Sequence, residues 1–290
     1  MKVYFSLFVT FFLFISISLK SQDLLALLDS IDNSEEITTY IDGTFKAPRL
    51  INGYTSEIAP KKELVFSISH RFGKVNGGFY EFFGLDQSTI RFGFDYGITE
   101  KVALGIGRSS YDKLYDGYAK IKVIKQSTGE KSFPVSITIL EGITYRTLKW
   151  YLDNDLYPTR VRFSYIHELF ISRKFNEKLS FQLVPVIVHR NLVKEKADQN
   201  TVLAIGFGGR YKITNHFTFV GEYYYLLPGK TADDYFNSTA LGFEIETGGH
   251  VFQLNFSNSH GMTEKIFIPE TNGDIKNGDI HFGFNIIRFF

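Results

Sequence analysis

The chain has no cysteine, two methionines and a single tryptophan in its 290 residues. Without cysteine there are no disulfide bonds, thiolate metal sites or cysteine nucleophiles, and no cysteine to carry a lipid anchor. Its 32 basic and 31 acidic residues leave a net charge of +1, so nothing in the charge favours nucleic-acid binding. Aromatic residues are abundant instead. With 30 Phe and 17 Tyr, the chain is 17% aromatic and 44% hydrophobic, which excludes a disordered protein.

Long apolar runs are also missing, except at the N-terminus. Met1 and Lys2 are followed by the seventeen mostly apolar residues 3–19 and then by the small residue Ser21. This order predicts a secretory signal over residues 1–21, cleaved near Gln22. An uncleaved anchor is the alternative, although seventeen residues lie at the lower limit of the roughly 17 to 25 that span a bilayer. Beyond Gln22 no comparable run occurs, so any further membrane span must use strands.

The rest of the chain divides into two parts. Residues 22–61 predict an N-terminal periplasmic extension or plug, with one short amphipathic helix over 23–31 and turn-rich sequence up to Pro60. From Lys62 onward, segments of about ten residues alternate between apolar and polar side chains, which is the period of strands with two different faces. The predicted strands are 62–72, 88–96, 101–110, 117–126, 134–145, 160–172, 177–189, 200–213, 216–226, 238–247, 250–257 and 279–289.

The connections between these strands alternate between tight turns and long loops; the segment 111–116 alone is short for the long-loop end. An even number of strands of this length, joined in this way behind a secretion signal, is typical of outer-membrane barrels. The sequence therefore predicts an all-β fold, an antiparallel up-and-down barrel of twelve strands over residues 62–290, with both termini in the periplasm.

One face of the predicted strands is almost wholly apolar and is expected to contact lipid. Its members include Leu64, Phe66, Ile68, Ile90, Phe92, Phe94, Tyr96, Val102, Leu104, Ile106, Val161, Phe163, Tyr165, Leu241, Phe243, Ile245, Phe282, Phe284 and Ile286. A soluble β-sandwich also has alternating strands and is the alternative fold. Twelve aromatic-rich strands in an open sheet would, however, leave edges free to pair with other chains, whereas a barrel has no edges.

The C-terminus supports the membrane interpretation. The chain ends at Phe290 after the last predicted strand, and Phe284 and Phe282 have the same parity as this terminal residue. This pattern resembles the C-terminal signal that barrel assembly machinery recognises. Arg288 departs from that signal, because the third position from the end is usually apolar. Outer-membrane lipid and the assembly machinery are therefore expected partners.

Several stretches also carry a family resemblance. They are FKAPRLINGY (45–54), ISHRFG (68–73), NGGFYEFFGLD (76–86), IRFGFDYGITEKVALGIGR (90–108), TGGHVF (247–252), GMTEK (261–265) and GDIHFGF (278–284). Through them the chain resembles the Bacteroidota outer-membrane barrel proteins known as domain of unknown function 5777, over about residues 40 to 290. The resemblance implies a barrel and its location, but no catalytic residues.

The opposite parity of the strands carries charge. The predicted lumen-lining residues are Arg71, Arg91, Asp95, Lys120, Lys122, Arg162, Glu168, Arg210, Glu222, Glu244 and Glu246. The bases cluster on the first six strands and the acids on strands six to ten, so a basic wall would face an acidic wall. Such a transverse field would orient a polar solute in the lumen. Alternatively, these groups pair with each other across a filled interior. Twelve strands lie between the filled barrels of about 8 and the open barrels of about 16 to 18, and residues 23–59 are long enough to plug the lumen.

Catalytic and metal motifs are incomplete. The segment His167-Glu168-Leu169-Phe170-Ile171 lacks the second His of a zinc motif and lies on a predicted strand. An outward His-x-Ser pair, which an outer-membrane phospholipase needs, does not occur; Ser259-His260 in the last long loop is the nearest candidate. The repeated Asn-Gly-Asp-Ile in that loop offers Asp274 and Asp279 to calcium, but its spacing favours turns.

The sequence thus predicts an outer-membrane barrel without enzymatic activity, cofactor or metal site, and without a nucleic-acid partner. We expect it to form a narrow pore or transporter for a small polar solute. A plugged, non-conducting barrel that acts as an anchor or binding protein is the first alternative, and an outer-membrane lipid hydrolase is the second.

Overall fold

The computed structural model describes residues 37–149, 158–228 and 235–290. Twelve strands in this part of the chain close into one antiparallel barrel, in which consecutive barrel strands pair and the last pairs with the first. The barrel strands are β2 (Leu64–Lys74), β3 (Ser88–Gly97), β4 (Val102–Ser109), β5 (Leu114–Ile124), β7 (Ser136–Arg146), β8 (Phe163–Lys174), β9 (Leu179–Arg190), β10 (Thr201–Lys212), β11 (Phe217–Leu226), β12 (Ser238–Thr247), β13 (His250–Ser257) and β14 (His281–Phe289). Two short strands, β1 (Thr39–Tyr40) and β6 (Ser127–Thr128), pair with each other outside the barrel sheet. The predicted signal and the predicted helix over 23–31 lie outside the described residues.

Side chains alternate between buried and exposed along the barrel strands, as period-2 sequences require. In β9, for example, Val184, Val186 and Val188 are buried while Ile187 is exposed. The predicted closed barrel of twelve antiparallel strands is confirmed, with strand bounds that agree to within about three residues. The start of β8 is the clearest difference, because Pro158 is followed by a 3₁₀ turn over Thr159–Arg162 and the strand begins only at Phe163.

The connections fall at two ends of the barrel. At the turn end they are short, such as 248–249, 175–178 and 213–216, although 125–135 is longer and contains β6. At the loop end, the connections that are described throughout are the long segments 75–87, 191–200 and 258–280 and the short segment 110–113. Within the described ranges, no helix is long and apolar enough to cross a membrane.

Aromatic side chains on the outward face contact each other across neighbouring strands. Phe66 and Phe94 have ring centroids 5.0 Å apart, and the rings of Phe217 and Phe243 stack at 4.9 Å. Cross-strand aromatic pairs of this kind stabilise a sheet by roughly 0.2–1 kcal/mol each relative to alanine. The outward apolar band therefore also contributes to pairing between strands.

Gly97 allows the chain to pass close to the end of β3 as it leaves the barrel interior and enters β2. Lys61 pairs with Gly97 in a parallel bridge, and the amide of Lys62 donates to the Gly97 carbonyl at 2.7 Å. A Cβ at position 97 would lie 2.0 Å from the carbonyl oxygen of Pro60, which is backbone and cannot rotate away. A side chain here must therefore displace the segment that leads into the interior.

We expect Gly97→Val to destabilise the barrel by about 1–3 kcal/mol, the usual cost of forcing extra atoms into a packed site. Gly117→Val is the matched control, because a Cβ on outward-facing Gly117 has Gly105 O, at 3.8 Å, as its nearest neighbour. The measurement is the urea dependence of the folded band in lipid vesicles, followed by gel mobility without boiling. Equal midpoints for the two variants would contradict this account of Gly97.

Candidate functional site

Two segments of the chain lie inside the barrel. The first, residues 44–59, precedes β2 and is called the inner segment; it includes Asn52 and Ile51, which are fully buried. The second, residues 258–273, belongs to the last connection at the loop end and is called the inner loop. It contains one helical turn, Glu264–Phe267, whose residues are all buried. Both segments contact inward-facing side chains of the barrel wall.

Glu222 on β11 holds the central turn of the inner segment. The backbone amides of Ile51, Asn52 and Gly53 all donate to its carboxylate, at 3.3, 2.8 and 3.1 Å. Successive backbone amides that point at one anion form an anion-binding nest. Each hydrogen bond to a charged group contributes about 1.5–3 kcal/mol to stability. Gly53 is required at this turn because a Cβ there would lie 1.8 Å from the Tyr224 hydroxyl.

Amide side chains of three other strands satisfy further backbone groups of the inner segment. Gln253 on β13 donates to the Leu50 carbonyl at 2.6 Å, and Asn285 on β14 donates to the Ile51 carbonyl at 2.9 Å. Gln182 on β9 also accepts from the Ser56 amide and donates to the Tyr54 carbonyl, at 3.2 and 2.8 Å. These bonds explain how an irregular segment can be buried without leaving its polar backbone unpaired.

Arg49 joins the inner segment to the inner loop. Its guanidinium lies 3.6 Å from the Glu264 carboxylate, donates to the Met262 carbonyl at 3.3 Å, and stacks 3.9 Å from the centre of the Tyr54 ring. Burial raises the pKa of the Glu264 carboxyl and of the Tyr54 hydroxyl, because both lose water around their charged forms. The two segments therefore form one connected filling.

Ten of the eleven predicted lumen-lining residues lie on the inward face. They are Arg71, Arg91, Asp95, Lys120, Lys122, Glu168, Arg210, Glu222, Glu244 and Glu246. The position of Arg162 was predicted wrongly: it lies in the 3₁₀ turn before β8 and donates to the carbonyls of Arg146 and Leu148 at the loop end. The predicted strand began too early, because nothing in the local alternation marks the turn.

Several of these side chains have a specific partner. Arg91 forms an ion pair with Asp116, and Asp95 accepts from the Tyr118 hydroxyl. Others bond to the inner segment, among them Arg71 to Asn52 at 2.8 Å, Lys122 to Glu57 at 2.7 Å, and Glu246 to Lys46 at 3.1 Å. Glu168 differs from these, since neither of its carboxylate oxygens has a hydrogen-bond partner among the described residues.

Two of the inward charges missing from the prediction are Asp116 on β5 and Arg190 on β9. Each lies at the loop end of its strand, just outside the predicted bounds of 117–126 and 177–189. Their parity matches that of the neighbouring inward residues, so a strand longer by one or two residues would have included them. Asp116 places an acid on the basic wall and Arg190 a base on the acidic wall, so the two walls are more mixed than the sequence predicts.

Glu270 ties the inner loop to the barrel at the loop end. Its carboxylate lies 3.2 Å from Arg190, 2.7 Å from Lys194 and 2.8 Å from Lys265. Burial alone would raise the pKa of Glu270, but the lysine ammonium groups more than offset it and hold the pKa at about 2. This carboxylate therefore stays charged over the whole range in which most proteins are stable.

The candidate catalytic and metal residues have structural partners. The Ser259 hydroxyl donates to the Gly261 carbonyl at 3.2 Å, and the His260 ring stacks on His281 at 4.7 Å, so the pair is not arranged as nucleophile and base. Asp274 accepts from the Lys276 amide at 2.9 Å in a turn, as the Asn-Gly pattern predicts. Among the described residues, no group of three or more His, Cys, Asp or Glu side chains could hold a metal ion.

A cavity of about 740 Å³ lies at the turn end, beneath the inner segment. Lysines dominate its charged lining: Lys61, Lys101, Lys122, Lys125 and Lys131, against Asp42, Glu57 and Glu100. Its size falls within the roughly 300–1,000 Å³ that is usual for small-molecule sites. The charge of its lining suits an anionic group.

The comparisons with solved structures find outer-membrane barrels. The NanC porin has a TM-score of 0.48 and 8% identity, over 78% of this chain and 99% of the porin. The COG4313 outer membrane channel from Pseudomonas putida F1 has a TM-score of 0.38 and 11% identity, over 81% and 97% of the two chains. LpxR from Salmonella typhimurium has a TM-score of 0.36 and 9% identity, over 79% and 100%. Likenesses this distant carry no information on function, and the comparison with curated proteins finds no match.

The chain belongs to the family of membrane-bound β-barrel domains called domain of unknown function 5777, whose model matches residues 45–290. A closed, single-chain antiparallel barrel with an even number of strands is the architecture of the proteins that span the bacterial outer membrane. The protein is therefore an outer-membrane β-barrel whose described interior holds two segments of its own chain.

The low pKa of Glu270 predicts a specific loss of stability in acid. A carboxyl with a folded pKa of about 2 and an unfolded pKa near 4.5 stabilises the fold fully above about pH 5. That stabilisation, on the order of 3 kcal/mol from a shift of this size, is lost as the pH falls toward 2. The difference in unfolding free energy between the wild type and Glu270→Gln should therefore shrink between pH 5 and pH 2. A constant difference over this range would contradict the charged network at the loop end.

Proposed function

We propose that this outer-membrane barrel is a conduit for a small polar solute, closed at rest by its own inner segment and inner loop. One observation carries the proposal: the surface between the inner segment and the barrel wall is made largely of charged and amide side chains. Glu222, Arg71 and Gln253 all bond directly to the inner segment. Water could solvate each of these groups if the segment withdrew.

A barrel interior that is only packed does not need so many buried charged and amide side chains. Replacing a buried ion pair by apolar residues of similar volume is often neutral or stabilising, because charges lose their hydration on burial. Here Arg71, Arg91 and Lys120 are each at most 2% exposed, so the barrel carries that cost. When the lumen is hydrated, water solvates the same charged side chains and the desolvation cost is absent. This favours a conduit over a rigidly filled barrel.

The turn-end cavity is the natural entrance or exit of such a conduit. It lies where the inner segment meets the wall, and Lys122 contributes both to the cavity lining and to the bond with Glu57 of the inner segment. A solute with an anionic group would compete with Glu57 for Lys122. We therefore propose that the solute carries a negative charge, which sharpens the prediction of a polar solute.

The second candidate is a non-conducting barrel that anchors or binds a partner. The number of simultaneous bonds favours it, because the inner segment is held by Gln182, Glu222, Gln253 and Asn285 on four different strands. All of them must break before the lumen can open. A lipid hydrolase finds no support in the Ser259 and His260 geometry. Export by a cleaved signal over 1–21, an origin in Bacteroidota and a role for Phe290 in assembly stay predictions.

Conductance in planar bilayers separates the two candidates. The full-length wild type should be closed most of the time, with rare openings. Glu222→Ala removes three anchors of the inner segment at once, so its open fraction should rise at least several-fold, with ion-selective steps. Single-channel recording at constant voltage measures both quantities.

The matched control is Glu168→Ala, which removes a buried inward carboxylate that makes no hydrogen bond among the described residues. It should leave the open fraction close to that of the wild type. Silence of both the wild type and Glu222→Ala, with correct folding by gel mobility, would rule out the conduit and leave the non-conducting barrel. A wild type that is steadily open would show that the inner segment does not close the lumen.

A further inference from the structure

One pair of ionisable side chains on the barrel points outward instead of into the interior. Glu141 and His167 lie on the outward parity of β7 and β8, where they pair directly across the two strands. Nδ1 of His167 contacts the Glu141 carboxylate, and the two side chains are 48% and 57% exposed, respectively. Glu141 is the one acidic side chain on the outward face of the twelve barrel strands, all of which the structure describes.

The pair lies at mid-strand, far from either membrane interface. Glu141 is the sixth of eleven residues in β7 and His167 the fifth of twelve in β8. Outward Arg108 and Arg173, by contrast, lie near the ends of their strands, where water and lipid headgroups are within reach. Because strands of this length cross the hydrocarbon core, Glu141 and His167 face acyl chains unless something covers them. Charged side chains in this position are costly and usually mark a functional surface.

Strand pairing is also interrupted beside the pair. Pro185 stands in the middle of β9 and has no backbone N–H to contribute to the sheet. Pairing between β8 and β9 runs through Glu168 and Val186 and resumes only at Ile171 and Leu183. A groove of about 530 Å³ follows this interruption, lined by Glu141, His167 and aliphatic side chains such as Ile139, Leu169 and Ile187. The outer wall therefore has a recess at the place where this polar pair lies.

We propose that this patch is the interface of a homodimer, in which a second copy of the chain covers Glu141 and His167. Two copies in one membrane share their orientation, so a closed pair must be related by a twofold axis along the membrane normal. If that axis passes between β7 and β8, the left and right sides of the patch exchange. Glu141 of one copy then faces His167 of the other copy, and the converse.

Such a contact satisfies groups that lipid cannot. In the described residues, one carboxylate oxygen of Glu141 and Nε2 of His167 have no hydrogen-bond partner. The second copy places a carboxylate beside Nε2 and an imidazole beside the free carboxylate oxygen, so that two carboxylates and two imidazoles alternate around a closed ring, in which an imidazole that carries both protons donates from each nitrogen. Acyl chains offer neither group, and a different protein would need a complementary pair of its own. Self-complementarity is what favours a second copy.

The absence of cysteine makes a clean cross-linking test available. Ile139→Cys, beside Glu141 in the groove, should give a dimer band with a short bis-maleimide in vesicles at low protein density. Leu254→Cys is the matched control, because it is an outward mid-strand aliphatic residue on β13, on the far side of the barrel. It should give no dimer band. Equal cross-linking at both positions, or none at Ile139→Cys, would overturn the proposal.

A charge exchange separates the proposed contact from a general loss of stability. In the Ile139→Cys background, His167→Glu places two carboxylates opposite two carboxylates and should reduce cross-linking at least tenfold. Adding Glu141→His restores the alternation with the two positions exchanged and should recover most of the dimer. Gel mobility without boiling verifies that each variant is folded. If the double exchange cross-links no better than His167→Glu, or if His167→Glu cross-links like the wild-type pair, the interface is not formed by these residues.

Discussion

The interior space of a twelve-stranded barrel is the constraint on which the rest of this structure depends. Eight strands leave room for side chains alone, and sixteen or more leave a water channel. Here the inward side chains do not fill the lumen, so the chain returns part of itself to the interior. The inner segment 44–59 and the inner loop 258–273 occupy that space, and Arg49 connects them.

The chemistry of the filling follows from the irregular backbone of these segments. A strand satisfies its amides and carbonyls in the sheet, whereas a buried turn must find other partners. Glu222 supplies an anion for three consecutive amides, and Gln182 supplies both a donor and an acceptor. The polar inner wall is thus matched to the inner segment, and the same polarity would suit water or a polar solute if the segment moved.

The barrel could be predicted from the sequence because strand alternation is local. Inward Arg91 and Glu244 and outward Phe94 and Phe243 are separated by parity alone. The path of the inner segment could not be predicted, because many of its partners lie more than a hundred residues away, as Glu222 does from Asn52. The local pattern likewise does not mark the 3₁₀ turn before β8, in which Arg162 lies outside the barrel wall. The outward positions of Glu141 and His167 also follow from parity, but their pairing depends on the register between β7 and β8, which the sequence does not give.

The central claim is that the inner wall is covered by the chain itself and not by water. Because the protein has no cysteine, Ala240→Cys reports on this directly: Ala240 is 1% exposed and packs with Phe45, Leu50 and Ile51 of the inner segment. A membrane-impermeant maleimide should label Ala240→Cys only after unfolding in urea, while Phe79→Cys, at an 82% exposed position, should react at once. Labelling of folded Ala240→Cys as fast as that of Phe79→Cys would show an open, hydrated lumen and contradict the account.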